Sequence, residues 1–126
     1  ILVVDYLQLM DAPGSNPNER AGYISRNMKK IAKSLHIPVL LISQMSRRFE
    51  VEGMDRTQLS DLRDSGNIEQ ASDKVWFLVR DTENEPDLAQ LIQAKNRQGP
   101  IGDIPLRFQP EFTKFTQGEW GDFVKG

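Results

Sequence analysis

The stretch Ile1-Leu2-Val3-Val4-Asp5 decides the fold class, because four consecutive β-prone apolar residues lead directly into a carboxylate. Such a run predicts a strand that is buried on both faces, as in a parallel sheet covered by helices. Residues 39–43 form a second apolar run. With a helix between them, the two runs make a βαβ unit whose strands are parallel and neighbouring or nearly so. The sequence therefore predicts an α/β fold.

The helix between these two strands has a clear beginning. Asn16 stands at the N-cap, Pro17 at the first helical position and Glu19 at the capping-box position. Pro38 is expected to stop the helix. Spacings of 4, 3 and 4 predict one apolar helix face, formed by Ile24, Met28, Ile31 and Leu35.

The remainder of the chain alternates polar loops with short apolar segments. Residues 45–65 are a long polar stretch containing four arginines, and loops of that length tend to be functional or mobile. The predicted elements that follow are a short helix (68–72), a third buried strand (75–79), a turn (81–87), a β-hairpin (88–95 and 103–108) and a last short strand (112–115).

Composition excludes several classes of protein. The 126 residues carry 16 Lys+Arg and 18 Asp+Glu, a net charge of −2, so bulk positive charge cannot coat nucleic acid and phosphate contacts must be local. The absence of cysteine excludes disulfide scaffolds, thiol catalysis and thiolate zinc sites, and one histidine excludes a poly-histidine metal site. No apolar run is long enough to span a membrane, which predicts a cytoplasmic location.

Two polar residues follow the first two predicted strands, and ligands of doubly wound sheets bind beyond such strand ends. Asp5 after an apolar strand is the Walker B arrangement, which suits Mg²⁺ because the ion prefers hard oxygen ligands at a rigid point. Gln44 can order a water or sense a terminal phosphate, since its amide both donates and accepts. Both residues also have a structural interpretation, because strand ends often carry polar turn residues.

Lys95 and Arg97 stand at the entry to the predicted hairpin. Two neighbouring cations repel each other, so a structural interpretation needs an acid nearby, and Asp103 across the hairpin is a candidate. The functional interpretation is a phosphate clamp, in which the guanidinium spreads positive charge over a transferring phosphoryl group. The residues alone leave the two interpretations open.

The segment Ser60-Asp61-Leu62-Arg63-Asp64-Ser65-Gly66 combines a cation, small hydroxyls and a glycine, which suits gripping a phosphate with backbone N–H groups. As a pattern it is equally typical of a helix-capping loop. Phe49 is the one aromatic among the arginines of this region, so tracking of a nucleic-acid backbone is more plausible than base stacking.

Taken together, four segments resemble the bacterial replicative DNA helicases of the DnaB type, in the family's order, at roughly its spacing and over nearly the whole chain. The segments are Asp5-Tyr6-Leu7-Gln8-Leu9-Met10, Leu41-Ile42-Ser43-Gln44-Met45-Ser46-Arg47, Ser60-Asp61-Leu62-Arg63-Asp64-Ser65-Gly66-Asn67-Ile68-Glu69-Gln70-Ala71-Ser72-Asp73 and Lys95-Asn96-Arg97-Gln98-Gly99-Pro100-Ile101-Gly102. The resemblance implies a RecA-like ATPase core in a six-membered ring that moves along single-stranded DNA.

The resemblance also implies roles for single residues in the nucleotide site. Asp5 would help to hold Mg²⁺, and Gln44 would couple the γ-phosphate of ATP to the DNA loops. Arg97 would be the arginine finger that enters the ATP site of the neighbouring subunit, with Lys95 beside it. ATP and Mg²⁺ are the implied cofactors, and primase and a helicase loader are further candidate partners.

For DNA contact, the resemblance implies a set of residues in the loop segments: Arg47, Arg63, Asp64 and Gly66. Asp64 stands where glutamate is commoner in the family, which shortens the side chain and keeps its charge. Two alternatives stay open: a stand-alone module that binds DNA or helicase without ATPase activity, and a RecA-type recombinase or repair ATPase.

The largest departure from the family is that no Gly-x-x-x-x-Gly-Lys-Ser/Thr segment occurs in the sequence. We therefore expect residues 1–126 to be the C-terminal portion of a motor domain, a RecA-like three-layer αβα fold with a mostly parallel sheet and a C-terminal hairpin, without its P-loop half. The isolated chain should neither bind ATP tightly nor hydrolyse it. Alone, it should also leave apolar side chains of Val3, Val39, Ile42 and the third strand exposed.

Overall fold

The structure is a computed structural model that describes residues 1–44 and 66–123. These residues fall into two compact units. The first unit contains residues 1–44 and 66–72. The second unit contains residues 73–123.

The first unit is built on a βαβ arrangement. Strand β1 (Leu2–Val4) pairs in parallel with β2 (Val39–Leu41), so that Leu2 lies opposite Val39 and Val4 opposite Leu41. Helix α1 (Pro17–Leu35) connects the two strands, and a short helix α2 (Gly66–Ala71) closes the unit. The predicted parallel, neighbouring strands are confirmed, although β2 is two residues shorter than the predicted run.

Local hydrogen bonds set both ends of α1. The Asn16 side chain accepts a hydrogen bond from the Glu19 N–H at 3.0 Å, as the capping pattern predicts. At the other end His36 takes the left-handed conformation, with φ of 53°, and its N–H donates to the Ala32 carbonyl. The helix ends before Pro38, as predicted, and the left-handed turn at His36 is the local cause.

The core of the first unit lies between α1 and the segment after β1. Leu7 and Ile24 are 4% and 3% exposed, and Ala21 packs with them. Helices α1 and α2 approach closely at Gly22, where an added Cβ would lie 2.8 Å from the Cβ of Asn67. A glycine is therefore required there for this helix packing.

The parallel strands are not buried on both faces in this chain. Val3 is 52% exposed, Leu40 39% and Ile42 41%. The exposure of Val3 and Ile42 confirms the expectation that the chain alone leaves these apolar side chains exposed. Val39 is half-buried.

The second unit is an antiparallel sheet in the order β3-β4-β5-β6. Its strands are β3 (Lys74–Val79), β4 (Leu88–Asn96), β5 (Gly102–Gln109) and β6 (Lys114–Gln117). The predicted hairpin of β4 and β5 is confirmed. Among the described strands, parallel pairing is confined to β1 and β2, so the expected mostly parallel sheet is not visible in this part of the chain.

Strand β3 was predicted as a buried strand whose apolar side chains are exposed in the chain alone, and one of its two faces is exposed. Phe77 is 3% exposed, whereas its neighbours Trp76 and Leu78 are 47% and 49% exposed. Alternation of this kind belongs to a strand with one covered face, and not to one buried on both. No helix within the described parts of the chain is long and apolar enough to cross a membrane.

Candidate functional site

Asp5 and Gln44 lie at the same edge of the first unit, because they follow neighbouring parallel strands. The strand pairing extends past the strand ends: the Ile42 N–H donates to the Val4 carbonyl at 3.0 Å, and the Leu7 N–H donates to the Ile42 carbonyl at 2.8 Å. Asp5 and Gln44 are both exposed at this edge. The structure therefore brings together the two residues that the sequence singled out.

A third side chain, that of Gln8, joins the two loops at this edge. Its Oε1 accepts a hydrogen bond from the Gln44 N–H at 3.2 Å, while its Nε2 donates to the Gln44 carbonyl at 3.2 Å. The same Nε2 donates to Ser43 Oγ at 3.0 Å. Sequence reasoning missed this residue. Its one sequence signal is a polar side chain set among the apolar neighbours Leu7 and Leu9.

This edge offers the exposed carboxylate of Asp5 to a metal ion. Within residues 1–44 and 66–123, no group of three or more His, Asp or Glu side chains is arranged to hold a metal ion. Mg²⁺ in phosphate-transfer sites needs fewer protein ligands, because one or two carboxylates share it with waters and phosphate oxygens. An exposed Asp5 directly after a strand meets that requirement.

The second pair of predicted site residues lies at the end of the β4–β5 hairpin. Lys95 is in β4 opposite Val75, and Arg97 begins the turn. The Arg97 N–H donates to the Asp73 carbonyl at 3.0 Å, and Arg97 Nη1 lies 3.3 Å from Asp73 Oδ1. Asp73, and not Asp103, is thus the acid that this geometry sets against Arg97.

Arg97 remains accessible despite these contacts. Its side chain is 49% exposed and that of Asp73 is 53% exposed, so the guanidinium is not buried in the core of its own chain. The turn beside it is braced, because Asn96 Nδ2 donates to the Pro100 carbonyl at 3.1 Å and Gln93 Nε2 donates to the same oxygen at 2.8 Å. A braced turn holds its first residue in one place, which suits a side chain that must reach a ligand.

Of the residues implied for DNA contact, the structure describes one. Gly66 is the first residue of α2, and a Cβ added there would meet open space. Arg47, Arg63 and Asp64 lie outside the described residues.

A βαβ unit with polar side chains beyond the carboxyl ends of its strands is typical of α/β nucleotide-binding folds. Within that class, the chain belongs to the DnaB-like helicase C terminal domain family, which matches residues 1–117. The predicted family is thereby confirmed.

Relatives in this family are replicative DNA helicases. The chain is 44% identical to a probable replicative DNA helicase of Trieres chinensis, over 91% of the chain and 28% of the relative. It is 43% identical to the replicative DNA helicase DnaB of Haemophilus influenzae, over 91% of the chain and 26% of the relative. Against the replicative DNA helicase DnaC of Bacillus subtilis the identity is 41%, over 94% and 28%. The chain thus spans about a quarter of the length of these relatives.

Two solved structures are close in fold. An ATPase domain superposes with a TM-score of 0.81 at 37% identity, over 93% of this chain and 44% of that one. A DnaB-like replicative helicase, described together with its interactions with primase, gives a TM-score of 0.79 at 38% identity, over 93% and 30%. The fold is therefore RecA-like, as the resemblance implies.

Proposed function

We propose that this chain forms the part of a replicative helicase motor domain that extends from the Walker B strand to the arginine-finger hairpin. The complete subunit would use ATP and Mg²⁺, assemble into a hexameric ring, move along single-stranded DNA and unwind the duplex at the replication fork. The observation that carries the proposal is the placement of Asp5 and Gln44 at one edge of adjacent parallel strands. Family membership supports it independently.

In this proposal the edge of the first unit serves the γ-phosphate of ATP. The Asp5 carboxylate helps to hold Mg²⁺, which neutralises the charge that develops on the phosphates. Gln44 forms a hydrogen bond to the γ-phosphate or to the attacking water, because an amide can donate and accept at once. Gln44 immediately precedes the arginine-containing stretch 45–65, so a change at the phosphate would reach the DNA-contacting residues through the chain itself.

The hairpin of the second unit acts on the nucleotide of the neighbouring subunit in this proposal. Arg97 supplies the guanidinium that stabilises the transition state, and Lys95 adds positive charge beside it. The ion pair of Arg97 with Asp73 is exposed, and such pairs contribute only about 0–1 kcal/mol. A triphosphate carries more negative charge than one carboxylate, so Arg97 can leave Asp73 for it at low cost.

The DNA-contacting set in the proposal is Arg47, Arg63, Asp64 and Gly66. The two arginines would bind phosphates without reading bases, which suits a motor that must pass over any sequence. The glycine would let the loop approach the backbone closely. A complete subunit of this kind would work in the cytoplasm and would meet primase and a loader there, as the primase interactions of the similar helicase suggest.

The proposal is tested by replacing Asp5 in the full-length helicase subunit that we propose contains this chain. Asp5→Asn removes the charged metal ligand and should lower Mg²⁺-dependent ATP turnover at least about tenfold, and forked-duplex unwinding with it. Asp11→Asn is the matched control, because Asp11 is an exposed acid a few residues further along the same segment and should leave both rates within about twofold. Unchanged turnover in Asp5→Asn, or DNA binding without any turnover in the unsubstituted subunit, would refute the motor assignment in favour of a binding module.

A further inference from the structure

The loop after β1 and the loop after β2 are joined by one amide side chain. Gln8 contacts both main-chain polar groups of Gln44: its Oε1 accepts from the Gln44 N–H, and its Nε2 donates to the Gln44 carbonyl, each at 3.2 Å. A primary amide has the same donor and acceptor as a peptide group. The Gln8 side chain therefore continues the backbone pairing of β1 and β2 beyond the strands themselves.

This contact fixes a residue that the strand pairing no longer holds. Within residues 1–44, the last backbone bonds between the two loops are those of Ile42 with Val4 and with Leu7. Two residues further on, the described main chain of Gln44 is bonded by the Gln8 side chain, and Ser43 Oγ adds a contact to the same Gln44 carbonyl at 3.3 Å. Gln8 is exposed, so its contribution is to place Gln44 and not to fill a core.

We propose that Gln8 is a positioning residue that aims the Gln44 side chain at the γ-phosphate and ties it to the loop that carries Asp5. The inference rests on the proposed role of Gln44 and deepens it. Gln8 does not touch the nucleotide in this scheme. It acts through the main chain of Gln44, whose Cα position and peptide orientation decide where the Gln44 side chain can reach. Its loss should therefore weaken the coupling of DNA binding to ATP turnover more than it lowers turnover without DNA.

The test measures ATP turnover of the full-length helicase subunit with and without single-stranded DNA, for Gln8→Ala, Gln44→Ala and the double variant. Gln44→Ala should abolish most DNA stimulation. Gln8→Ala should reduce the stimulation about fivefold, the effect of losing about 1 kcal/mol of hydrogen bonding. Because Gln8 acts only through Gln44, the double variant should match Gln44→Ala within about twofold. Gln44→Ala and the double variant should also lower turnover without DNA, because Gln44 contacts the γ-phosphate or the attacking water, so DNA stimulation is measured in each variant as the ratio of the rates with and without DNA.

Two further variants separate positioning from a merely structural role. Gln8→Glu keeps the size of the side chain but replaces the donor by a charged oxygen facing the Gln44 carbonyl, so it should lose stimulation at least as strongly as Gln8→Ala. Gln109→Ala removes an exposed glutamine from β5 and should behave as the unsubstituted protein. Thermal unfolding followed by circular dichroism checks that all the variants are folded. If Gln8→Ala is not folded, Gln8→Glu is the variant that tests the positioning role.

The outcomes distinguish this inference from the proposed function. If Gln44→Ala keeps its DNA stimulation, the role proposed for Gln44 is wrong and the inference goes with it. If Gln44→Ala loses stimulation while Gln8→Ala or Gln8→Glu keeps it, the positioning role alone is overturned. A double variant that loses markedly more than Gln44→Ala would show that Gln8 acts by another route and would equally overturn it.

Discussion

At the scale of single residues, the charge at the end of the β4–β5 hairpin is the feature with the clearest consequence. Arg97 contacts Asp73 through a main-chain hydrogen bond and an ion pair, and its side chain is 49% exposed. The main-chain bond fixes the backbone position of Arg97. The exposed ion pair is weak, so the guanidinium can exchange Asp73 for another anionic group. The Arg97 guanidinium is therefore accessible to a further anionic group.

We predict that Arg97→Ala in the full-length helicase subunit lowers ATP turnover about 10³-fold, because an arginine finger contributes that much or more to phosphoryl transfer. Arg97→Lys should restore little of it, since an ammonium cannot spread its charge over the phosphoryl oxygens as a planar guanidinium does. Turnover at saturating ATP is the measurement. Arg26→Ala, an exposed arginine of α1, is the matched control and should change turnover less than about twofold.

Mixing of subunits checks that Arg97 works between chains. Asp5→Asn and Arg97→Ala subunits each have strongly reduced turnover in this scheme, but a mixed ring contains interfaces in which an intact Asp5 faces an intact Arg97. Turnover should therefore recover partly on mixing. If turnover does not rise on mixing, although ring assembly is verified, action of Arg97 across the subunit interface is contradicted.

At the scale of elements, α1 shows how far an apolar pattern reaches along a helix. The sequence predicts one face formed by Ile24, Met28, Ile31 and Leu35. Ile24 is 3% exposed and packs with Leu7 and Ala21, whereas Leu35 is 61% exposed. Periodicity predicts which side of a helix is apolar, but the neighbouring elements decide how much of that side is covered.

This difference along one helix gives a prediction of stability. Ile24→Ala should lower the free energy of unfolding by about 2–5 kcal/mol, because it leaves a cavity against Leu7 and Ala21. Leu35→Ala makes a similar truncation on the same helix and should cost less than about 1 kcal/mol, since that side chain is already in contact with water. Urea unfolding followed by far-ultraviolet circular dichroism measures both. Equal losses in the two variants would mean that α1 is not packed as the structure has it.

The sequence predicts well those helices and strands that are determined by interactions between residues close together in the chain. The start of α1 follows from Asn16, Pro17 and Glu19, whose capping contacts lie within one helical turn. The pairing of β4 with β5 follows from a short turn. By contrast, β3 was predicted as a buried strand of a mostly parallel sheet. An apolar run does not indicate the direction of the strand relative to its neighbours. Its antiparallel pairing with β4 is decided by the path of the chain.

The same distinction explains the candidate site. Asp5 and Gln44 were predictable because parallel neighbouring strands must end at one edge. Gln8 was not, since its bonds depend on how the main chain turns after β1. The pairing of Asp73 with Arg97 was also missed, because it crosses from β3 to β4 near a register shift between Val75 and Trp76 that no sequence pattern marks.

At the scale of the whole molecule, the proposed chemistry is divided between the two units. Asp5 and Gln44 belong to the first unit, and Lys95 and Arg97 to the second. The net charge of −2 gives no general attraction to DNA or nucleotide, so binding must depend on these local groups. In a ring of subunits, each nucleotide would then be served by the first unit of one chain and the second unit of its neighbour.

The 126-residue polypeptide by itself should therefore not hydrolyse ATP. Its sequence contains no P-loop, and without the amides and lysine of that loop the β- and γ-phosphates lose most of their binding partners. We expect no Mg²⁺-dependent phosphate release above a no-protein blank, and no saturable binding of a fluorescent ATP analogue at micromolar concentrations. The full-length subunit, assayed in the same buffer with single-stranded DNA, should show both activities. Turnover by the 126-residue polypeptide that requires Mg²⁺ and disappears in Asp5→Asn would mean that it holds a complete catalytic site, and the division of the pocket between two chains would be wrong.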